Sequence, residues 1–138
     1  MSVAAPAYVA LLESGELARR AEEACRLMAA CVLCAWKCRV NRVAGKIGFC
    51  RTGVLPRVSA CFPHLGEEDC LRGWRGSGTI FFANCNLRCQ YCQNYETSAL
   101  GQGVEITAEE LAGMMLGLQE AGCHNINFVS PSHVVAPI

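Results

Sequence analysis

Residues 76–92 of the chain read GSGTIFFANCNLRCQYC and combine a strand signal with a group of thiols. The stretch 79–83 is apolar and rich in β-branched and aromatic residues, and Gly76 and Gly78 precede it. This composition is typical of a short buried strand. The thiols therefore follow in a loop at the C-terminal end of a strand, where α/β folds usually build their active sites.

The loop contains Cys85, Cys89 and Cys92, spaced C-x3-C-x2-C. Three thiolates can hold three irons of a 4Fe–4S cluster, which ordinarily needs four ligands, so one iron would stay open for a substrate or cofactor. A structural zinc site and unliganded core thiols are the alternatives, but zinc requires four ligands and the next cysteine downstream is Cys123. The spacing therefore favours a 4Fe–4S cluster on Cys85, Cys89 and Cys92.

A helix and a second strand follow the cysteine loop. Thr107 and Glu110 have the spacing of a capping box, and Gly122 lies where a C-terminal cap glycine belongs. One apolar helix face is formed by Leu111, Met114, Met115, Leu118 and Ala121. Residues 126–129 are predicted to form the second strand. A crossover of this length implies a parallel pair in a right-handed βαβ unit, which would bring residues 130–133 near residues 85–92.

The N-terminal part contains a predicted helix and a second group of cysteines. Apolar residues at helical spacing predict a helix over residues 7–30, with a break at Ser14–Gly15. The second group consists of Cys31, Cys34, Cys38 and Cys50. Two ligands two residues apart, a third further on and a fourth after a loop can close around one metal, either zinc or a second iron–sulfur cluster. A solvated basic loop with unliganded thiols is the alternative.

Residues 51–75 show no clear period because glycines and prolines interrupt them, so we expect an irregular connection with one short strand near residues 57–62. His64, Glu67 and Glu68 are capable of acid–base chemistry but are predicted to order a loop. No residue of the chain is assigned a catalytic role. We divide the chain into residues 1–75, with the helix and four-cysteine region, and residues 76–138, with the strand–helix–strand unit.

Composition excludes several functional classes. The 138 residues carry 12 basic and 12 acidic side chains and are 52% hydrophobic, which describes a globular chain without a net field that would attract nucleic acid or anionic lipid. The N-terminus lacks the basic and apolar segments of a signal peptide. The 11 cysteines are therefore expected to be reduced and cytoplasmic, and their clustering indicates metal binding.

The C-x3-C-x2-C loop after a first strand resembles the radical S-adenosylmethionine (SAM) enzymes. The surrounding string resembles the branch related to pyruvate formate-lyase activating enzyme, and the resemblance extends from about residue 27 to residue 138. Three blocks carry it: the cysteines of residues 31–50 with Val40, Asn41 and Arg42, the strand of residues 76–82, and the loop of residues 85–95.

The resemblance implies a binding site for SAM beside the cluster. Tyr91 matches an aromatic residue that the family places near the cluster and the adenine. Residues 130–133 stand where many members have Ser-Gly-Gly-Glu, so Ser130 is the matching position for a SAM contact, while Pro131, Ser132 and His133 replace the rest. Proline cannot donate a backbone hydrogen bond, so backbone carbonyls or serine hydroxyls would receive the SAM ammonium group.

The implied activity is reductive cleavage of SAM to a 5′-deoxyadenosyl radical, with an electron donor such as flavodoxin or ferredoxin. A glycine of a partner protein is the implied substrate, as for enzymes that activate glycyl-radical enzymes. The implied fold is α/β, the start of a partial (β/α) barrel. Because we find only two core strands, we expect a two-stranded parallel sheet with both edges open, and an incomplete, aggregation-prone chain. The alternatives are a non-catalytic electron carrier or metal-stabilised binding module, or an inactive fragment.

Overall fold

A four-stranded mixed sheet forms the centre of the computed structural model, which describes residues 5–138. The strands are β1 (Arg57–His64), β2 (Ser77–Phe82), β3 (Val104–Glu105) and β4 (Ile126–Val129). Their order across the sheet is β3-β1-β2-β4. β2 pairs with β4 in parallel, whereas β1 is antiparallel to both β2 and β3. The mixed α/β class is therefore confirmed.

Five α-helices and one 3₁₀ turn lie among the described residues. The helices are α1 (Ala7–Glu13), α2 (Glu16–Arg26), α3 (Asp69–Arg72), α4 (Tyr95–Ser98) and α5 (Ala108–Glu120), and the 3₁₀ turn is Leu27–Ala30. Gly15 separates α1 from α2 with φ of 74°, a conformation that glycine adopts without steric cost. The predicted break at Ser14–Gly15 is thus confirmed. Within residues 5–138, every helix is too short or too polar to cross a bilayer.

The predicted strand–helix–strand unit is confirmed as β2, α5 and β4. The Thr107 side chain accepts a hydrogen bond from the Glu110 amide at 3.2 Å, and the Glu110 carboxylate accepts one from the Thr107 amide at 2.7 Å. This capping box satisfies two amide groups that the first helical turn leaves without partners. Leu111 and Leu118 are buried against the sheet, as the apolar face of the helix predicts.

Gly78 lets the helix and both parallel strands approach closely. A Cβ atom at this position would lie 2.9 Å from the Asn125 carbonyl oxygen, 2.9 Å from Ile126 Cδ1 and 3.2 Å from Leu118 Cβ. Distances below 3 Å cannot be accommodated without moving the backbone of the neighbouring strand. A glycine is therefore required where β2, β4 and α5 meet.

One hydrophobic core joins the sheet to α5 and to the residues after β4. Its buried members are Val58, Ile80, Phe82, Ile106, Leu111, Leu118, Cys123 and Val134. β1 precedes the predicted boundary at residue 75 and β2 follows it, and both strands belong to the same sheet. The core thus draws on side chains from both sides of that boundary.

The expectation of a two-stranded sheet with both edges open is wrong. The strand near residues 57–62 is confirmed, but it extends to His64 and pairs with β2 from Val58–Phe82 to His64–Ser77. β2 is therefore a central strand with neighbours on both sides. The pairing could not be read locally because the partners lie 13 to 24 residues apart and Gly66, Gly73 and Gly76 interrupt the connection.

The core predicts the effect of a truncation on α5. Leu111 is 1% exposed, whereas Leu116 on the same helix is 57% exposed. Leu111→Ala should lower the free energy of unfolding by about 2 to 5 kcal/mol because it removes buried apolar surface and leaves a cavity. Leu116→Ala should change it by less than about 0.5 kcal/mol. Urea denaturation followed by circular dichroism measures both, and equal losses would contradict this packing.

Candidate metal centre

The loop after β2 holds Cys85, Cys89 and Cys92 in three different environments. Cys85 is buried, and its Sγ accepts a hydrogen bond from the Leu87 amide at 3.5 Å. Cys92 is half-buried, with its Sγ 3.1 Å from the Ser98 hydroxyl oxygen on α4, and Cys89 is exposed. These two hydrogen bonds hold the Cys85 and Cys92 sulfur atoms in place, whereas Cys89 has no such restraint among the described residues.

The side chains within residues 5–138 form no converging group of three or more His, Cys, Asp or Glu residues that could hold a metal ion as they stand. The assignments of Cys85, Cys89 and Cys92, and of the four upstream cysteines, therefore stay predictions. Their donor chemistry fits iron or zinc, because both metals accept cysteine thiolates and the three loop thiols lie within eight consecutive residues.

Left-handed backbone conformations mark the two cysteine segments. Among the described residues, the non-glycine positions with positive φ are Lys37, Arg39, Arg51, Asn84, Arg88 and Ser130. The first five are each directly adjacent to a predicted ligand, and the sixth is the predicted SAM contact. Positive φ is uncommon outside glycine and costs on the order of 1–3 kcal/mol, and such residues cluster at ligand sites. The left-handed backbone therefore coincides with the predicted ligand positions in both cysteine segments.

The upstream segment folds back on itself and brings Cys31 beside Cys38. The Cys31 amide donates to the Val40 carbonyl at 2.9 Å, and the Arg39 amide donates to the Cys31 carbonyl at 2.9 Å. A Cβ atom on Gly48 would lie 2.5 Å from Cys38 Sγ, so only glycine fits there.

Two tight turns position the other two upstream cysteines. The Lys37 amide donates to the Cys34 carbonyl at 3.0 Å, and the Arg51 amide donates to the Gly48 carbonyl at 3.0 Å. Cys50 lies inside the second turn and is buried. Gly48, the first residue of this turn, lies against Cys38. Cys50 is therefore only two residues along the chain from a residue that contacts Cys38.

Arg42 is a buried cation between the upstream segment and the residues after β4. It is 1% exposed. Its guanidinium donates to the His133 carbonyl at 2.8 Å and to the Gly53 carbonyl at 2.8 Å, and lies 3.8 Å from Cys31 Sγ. The Arg42 guanidinium thus places a buried positive charge beside the Cys31 sulfur. Arg42 belongs to a block that carries the family resemblance. No local sequence signal distinguishes it as buried from its exposed basic neighbours.

Trp36, Phe49 and Arg88 join the two cysteine segments. The Trp36 indole N–H donates to the Asn86 carbonyl at 2.7 Å, and the Trp36 ring stacks on Phe49 with centroids 3.5 Å apart. Arg88 donates to the Phe49 carbonyl at 2.8 Å and lies 4.2 Å from the centre of the Phe49 ring, a cation–π contact. This junction makes the two segments one assembly, and no local sequence signal indicates it.

Residues 130–133 lie beside the cysteine loop, as the parallel pairing predicts. The Ser132 hydroxyl donates to the Asn86 side-chain oxygen at 3.1 Å, and His133 Nε2 lies 2.9 Å from the Ala83 carbonyl, which accepts its hydrogen bond. The proximity of this segment to residues 85–92 is confirmed. Tyr91 is 98% exposed, so it does not pack on the core.

His133 is buried at 1% exposure and is held as a neutral ring. Burial lowers the pKa of His133 below its ordinary value, the positive charge of Arg42 lowers it further, and the hydrogen bond to Ala83 opposes both effects. His64, predicted in a loop, is instead the last residue of β1, and its Nε2 lies 3.9 Å from Glu67 Oε1, an arrangement that orders the turn after the strand.

Comparison with known proteins gives two partial similarities. A segment of 68 residues is 44% identical to an uncharacterized protein of Methanocaldococcus jannaschii, covering 49% of this chain and 19% of that protein. A segment of 37 residues is 49% identical to the pyruvate formate-lyase-activating enzyme of Clostridium pasteurianum, covering 27% of this chain and 16% of that enzyme. The aligned segments thus span less than a fifth of each relative's length. No family model and no solved structure matches the chain.

The neutral His133 predicts a pH dependence of stability. Because its pKa is lower in the folded chain than the ordinary value of 6.5, protons bind the unfolded chain more readily below that pH. The stabilisation that neutral His133 contributes to the folded chain is fully present above pH 6.5 and is lost as the pH falls towards the lowered pKa. His133→Gln should flatten the decline in unfolding free energy between about pH 7 and about pH 5.

The exposed His124 supplies the matched control for this measurement. His124→Gln should leave the slope of unfolding free energy against pH unchanged, as determined by urea titrations at several pH values. A slope that is the same in wild type and His133→Gln would show that His133 is not held neutral.

Proposed function

We propose that this chain is part of a radical SAM protein in which Cys85, Cys89 and Cys92 hold a 4Fe–4S cluster with one open iron. The observation that carries the proposal is the position of the three-thiol loop at the carboxyl end of β2, beside the end of the parallel strand β4. Ligands of α/β sheets bind at this edge of the strands. The short similarity to an activating enzyme and the 11 cysteines are compatible with iron–sulfur binding.

The residues around the loop would tune and stabilise the thiolates. The Leu87 amide and the Ser98 hydroxyl are placed to donate hydrogen bonds to Cys85 and Cys92, and such bonds spread the negative charge of sulfur and raise a cluster's reduction potential. When bound, the cluster supplies the electron that cleaves the sulfonium of SAM. The protein contributes the ligands, their orientation and the surrounding charge.

Ser130 and Tyr91 are the proposed SAM contacts in this chain. His133 stands where many members of the resembling family have glutamate, but its Nε2 is engaged by Ala83 and the ring is buried. Among the described residues, Nδ1 has no hydrogen-bond partner but is buried with the ring, so it is inaccessible to the SAM ammonium group. The half-buried Ser130, whose positive φ turns the chain at the end of β4, offers a carbonyl and a hydroxyl instead. Tyr91 is exposed and accessible to stack on an adenine ring.

The remaining parts of the proposal concern the whole protein. They are a partial (β/α) barrel begun by β2, α5 and β4, a cytoplasmic location, an electron donor such as flavodoxin or ferredoxin, and a glycine of a partner protein as substrate.

The upstream cysteines are proposed to form a separate structural metal site, with zinc or a second iron–sulfur cluster bound by Cys31, Cys34, Cys38 and Cys50. Its support is the contact of Gly48 with Cys38 and the buried Arg42 beside Cys31.

The loop cysteines predict the iron content of the protein. When purified and reconstituted without oxygen, the Cys85→Ala/Cys89→Ala/Cys92→Ala variant should hold about four fewer irons per chain than wild type, because no ligands would remain for that cluster. The matched control replaces Cys25, Cys61 and Cys70, which are outside both proposed sites, by alanine and should keep the iron. Mössbauer spectroscopy and iron analysis measure the difference. Equal iron in the two variants would disprove the assignment.

The open iron predicts an effect of SAM on the same protein. Adding SAM to the reduced chain should change the electron paramagnetic resonance spectrum of the cluster, since SAM would bind the iron that lacks a cysteine. An electron carrier with four protein ligands per cluster would give the same spectrum with and without SAM. A cluster present but insensitive to SAM would therefore leave the iron assignment standing and reject the radical SAM assignment.

The upstream cysteines predict a second metal independent of the first. In the Cys85→Ala/Cys89→Ala/Cys92→Ala variant, metal analysis should still find zinc or iron bound to the chain. Cys31→Ser and Cys38→Ser should release this metal and lower the melting temperature, because a structural site contributes folding free energy directly. Absence of both zinc and iron from the triple variant would contradict the second site.

A further inference from the structure

A cleft of about 400 Å³ lies between the two cysteine segments. Its polar lining is formed by Arg51, Arg88, Cys89, Gln90, Tyr95 and Ser98. Arg51 belongs to the upstream segment and Arg88 to the loop after β2, so the cleft exists only because the two segments pack together. Its volume is in the range of small-molecule sites in proteins.

Both arginines face this cleft without a carboxylate partner. Within the described part of the chain, the ion pairs of arginine involve Arg19, Arg20, Arg26, Arg57 and Arg72. Arg51 donates instead to the Ala99 carbonyl, and Arg88 to the Phe49 carbonyl. No acidic residue lines the cleft among residues 5–138. The positive charge of the two guanidinium groups is thus left without a neutralising group from the protein.

The two guanidinium groups are held in place before any ligand arrives. Arg88 is fixed by a carbonyl and by the face of the Phe49 ring, and Arg51 is fixed by a carbonyl at the end of α4. Both residues adopt positive φ, 53° for Arg51 and 51° for Arg88. Each guanidinium carries five N–H donors, so most of them remain for a ligand. Fixed donors reduce the entropy lost on binding.

We propose that this cleft binds the carboxylate or phosphate group of a small molecule, next to Cys89. The planar fork of arginine matches both oxyanions, and two forks from separate segments can hold one such group from two sides. Gln90, Tyr95 and Ser98 supply further hydrogen-bonding groups along the wall. The cleft adjoins the proposed cluster, because Cys89 lines it, but oxyanion binding by the two arginines is measured without reference to iron and can fail while the cluster assignment stands.

The alternative is that Arg51 and Arg88 serve only to offset the charge of cysteine thiolates. In that case the arginines would have no affinity for free anions. The two explanations differ in whether a small oxyanion binds saturably at both guanidinium groups, and this can be measured on the whole chain.

The test is a titration of the anaerobically purified, ¹⁵N-labelled chain with inorganic phosphate and, separately, with acetate. The arginine Nε–Hε signals of Arg51 and Arg88, assigned with Arg51→Met and Arg88→Met, should shift saturably with a dissociation constant on the order of 1 mM for at least one anion. Phosphate binding alone indicates a phosphorylated ligand, and acetate binding indicates a carboxylate. Each Arg→Met change should weaken binding about tenfold.

Two sets of variants keep the result decisive. Arg75→Met removes an exposed arginine outside the cleft that likewise has no carboxylate partner, and it should leave the affinity unchanged. Arg51→Lys and Arg88→Lys retain the charge but lose the fork, and they should bind more weakly than wild type while keeping its circular dichroism spectrum. No saturable shift with either anion, or equal affinity in wild type and the folded lysine variants, would overturn the proposal.

Discussion

The parallel pairing of β2 with β4 positions the two loops in which the candidate ligands lie. Pairing of Gly78 with Ile126 through Phe81 with Val129 brings both carboxyl ends to one edge of the sheet. The cysteine loop follows the carboxyl end of β2, and residues 130–133 follow the carboxyl end of β4. Hydrogen bonds of Ser132 and His133 connect the two segments. Gly78 makes the pairing possible, because any larger residue would meet the backbone of Asn125.

A second constraint is the junction between the two cysteine segments. Stacking of Trp36 on Phe49, and of Arg88 on the same ring, holds residues 31–51 against the loop after β2. This contact also gathers positive charge where thiolates are proposed, since Arg42 lies buried beside Cys31 and Arg51 and Arg88 line the cleft beside Cys89. The charge on Arg51 and Arg88 is open to an anionic ligand, because no acidic side chain lines the cleft among the described residues.

The proposed function and the oxyanion cleft draw on the same architecture in different ways. The proposed function depends on three thiols whose side chains do not converge on one point in the described structure. It also depends on similarities that span less than a fifth of each relative. The cleft depends only on two arginines and on the packing that fixes them. Arg51 and Arg88 link the two, because each adopts positive φ and directly neighbours a proposed ligand, Cys50 or Cys89.

The sequence by itself determined the β2–α5–β4 unit and the break before α2. These features depend on signals within a few residues, such as the apolar run before Cys85 and the capping box at Thr107. Only the tertiary structure decided the antiparallel partner of β2, the burial of Arg42 and the contact of Trp36 with Asn86. Arg42 and His133 are 91 residues apart, and Trp36 and Asn86 are 50 apart. Such contacts depend on the path of the whole chain, because no residue near Arg42 distinguishes it from its exposed basic neighbours and none near Trp36 indicates its contact with Asn86.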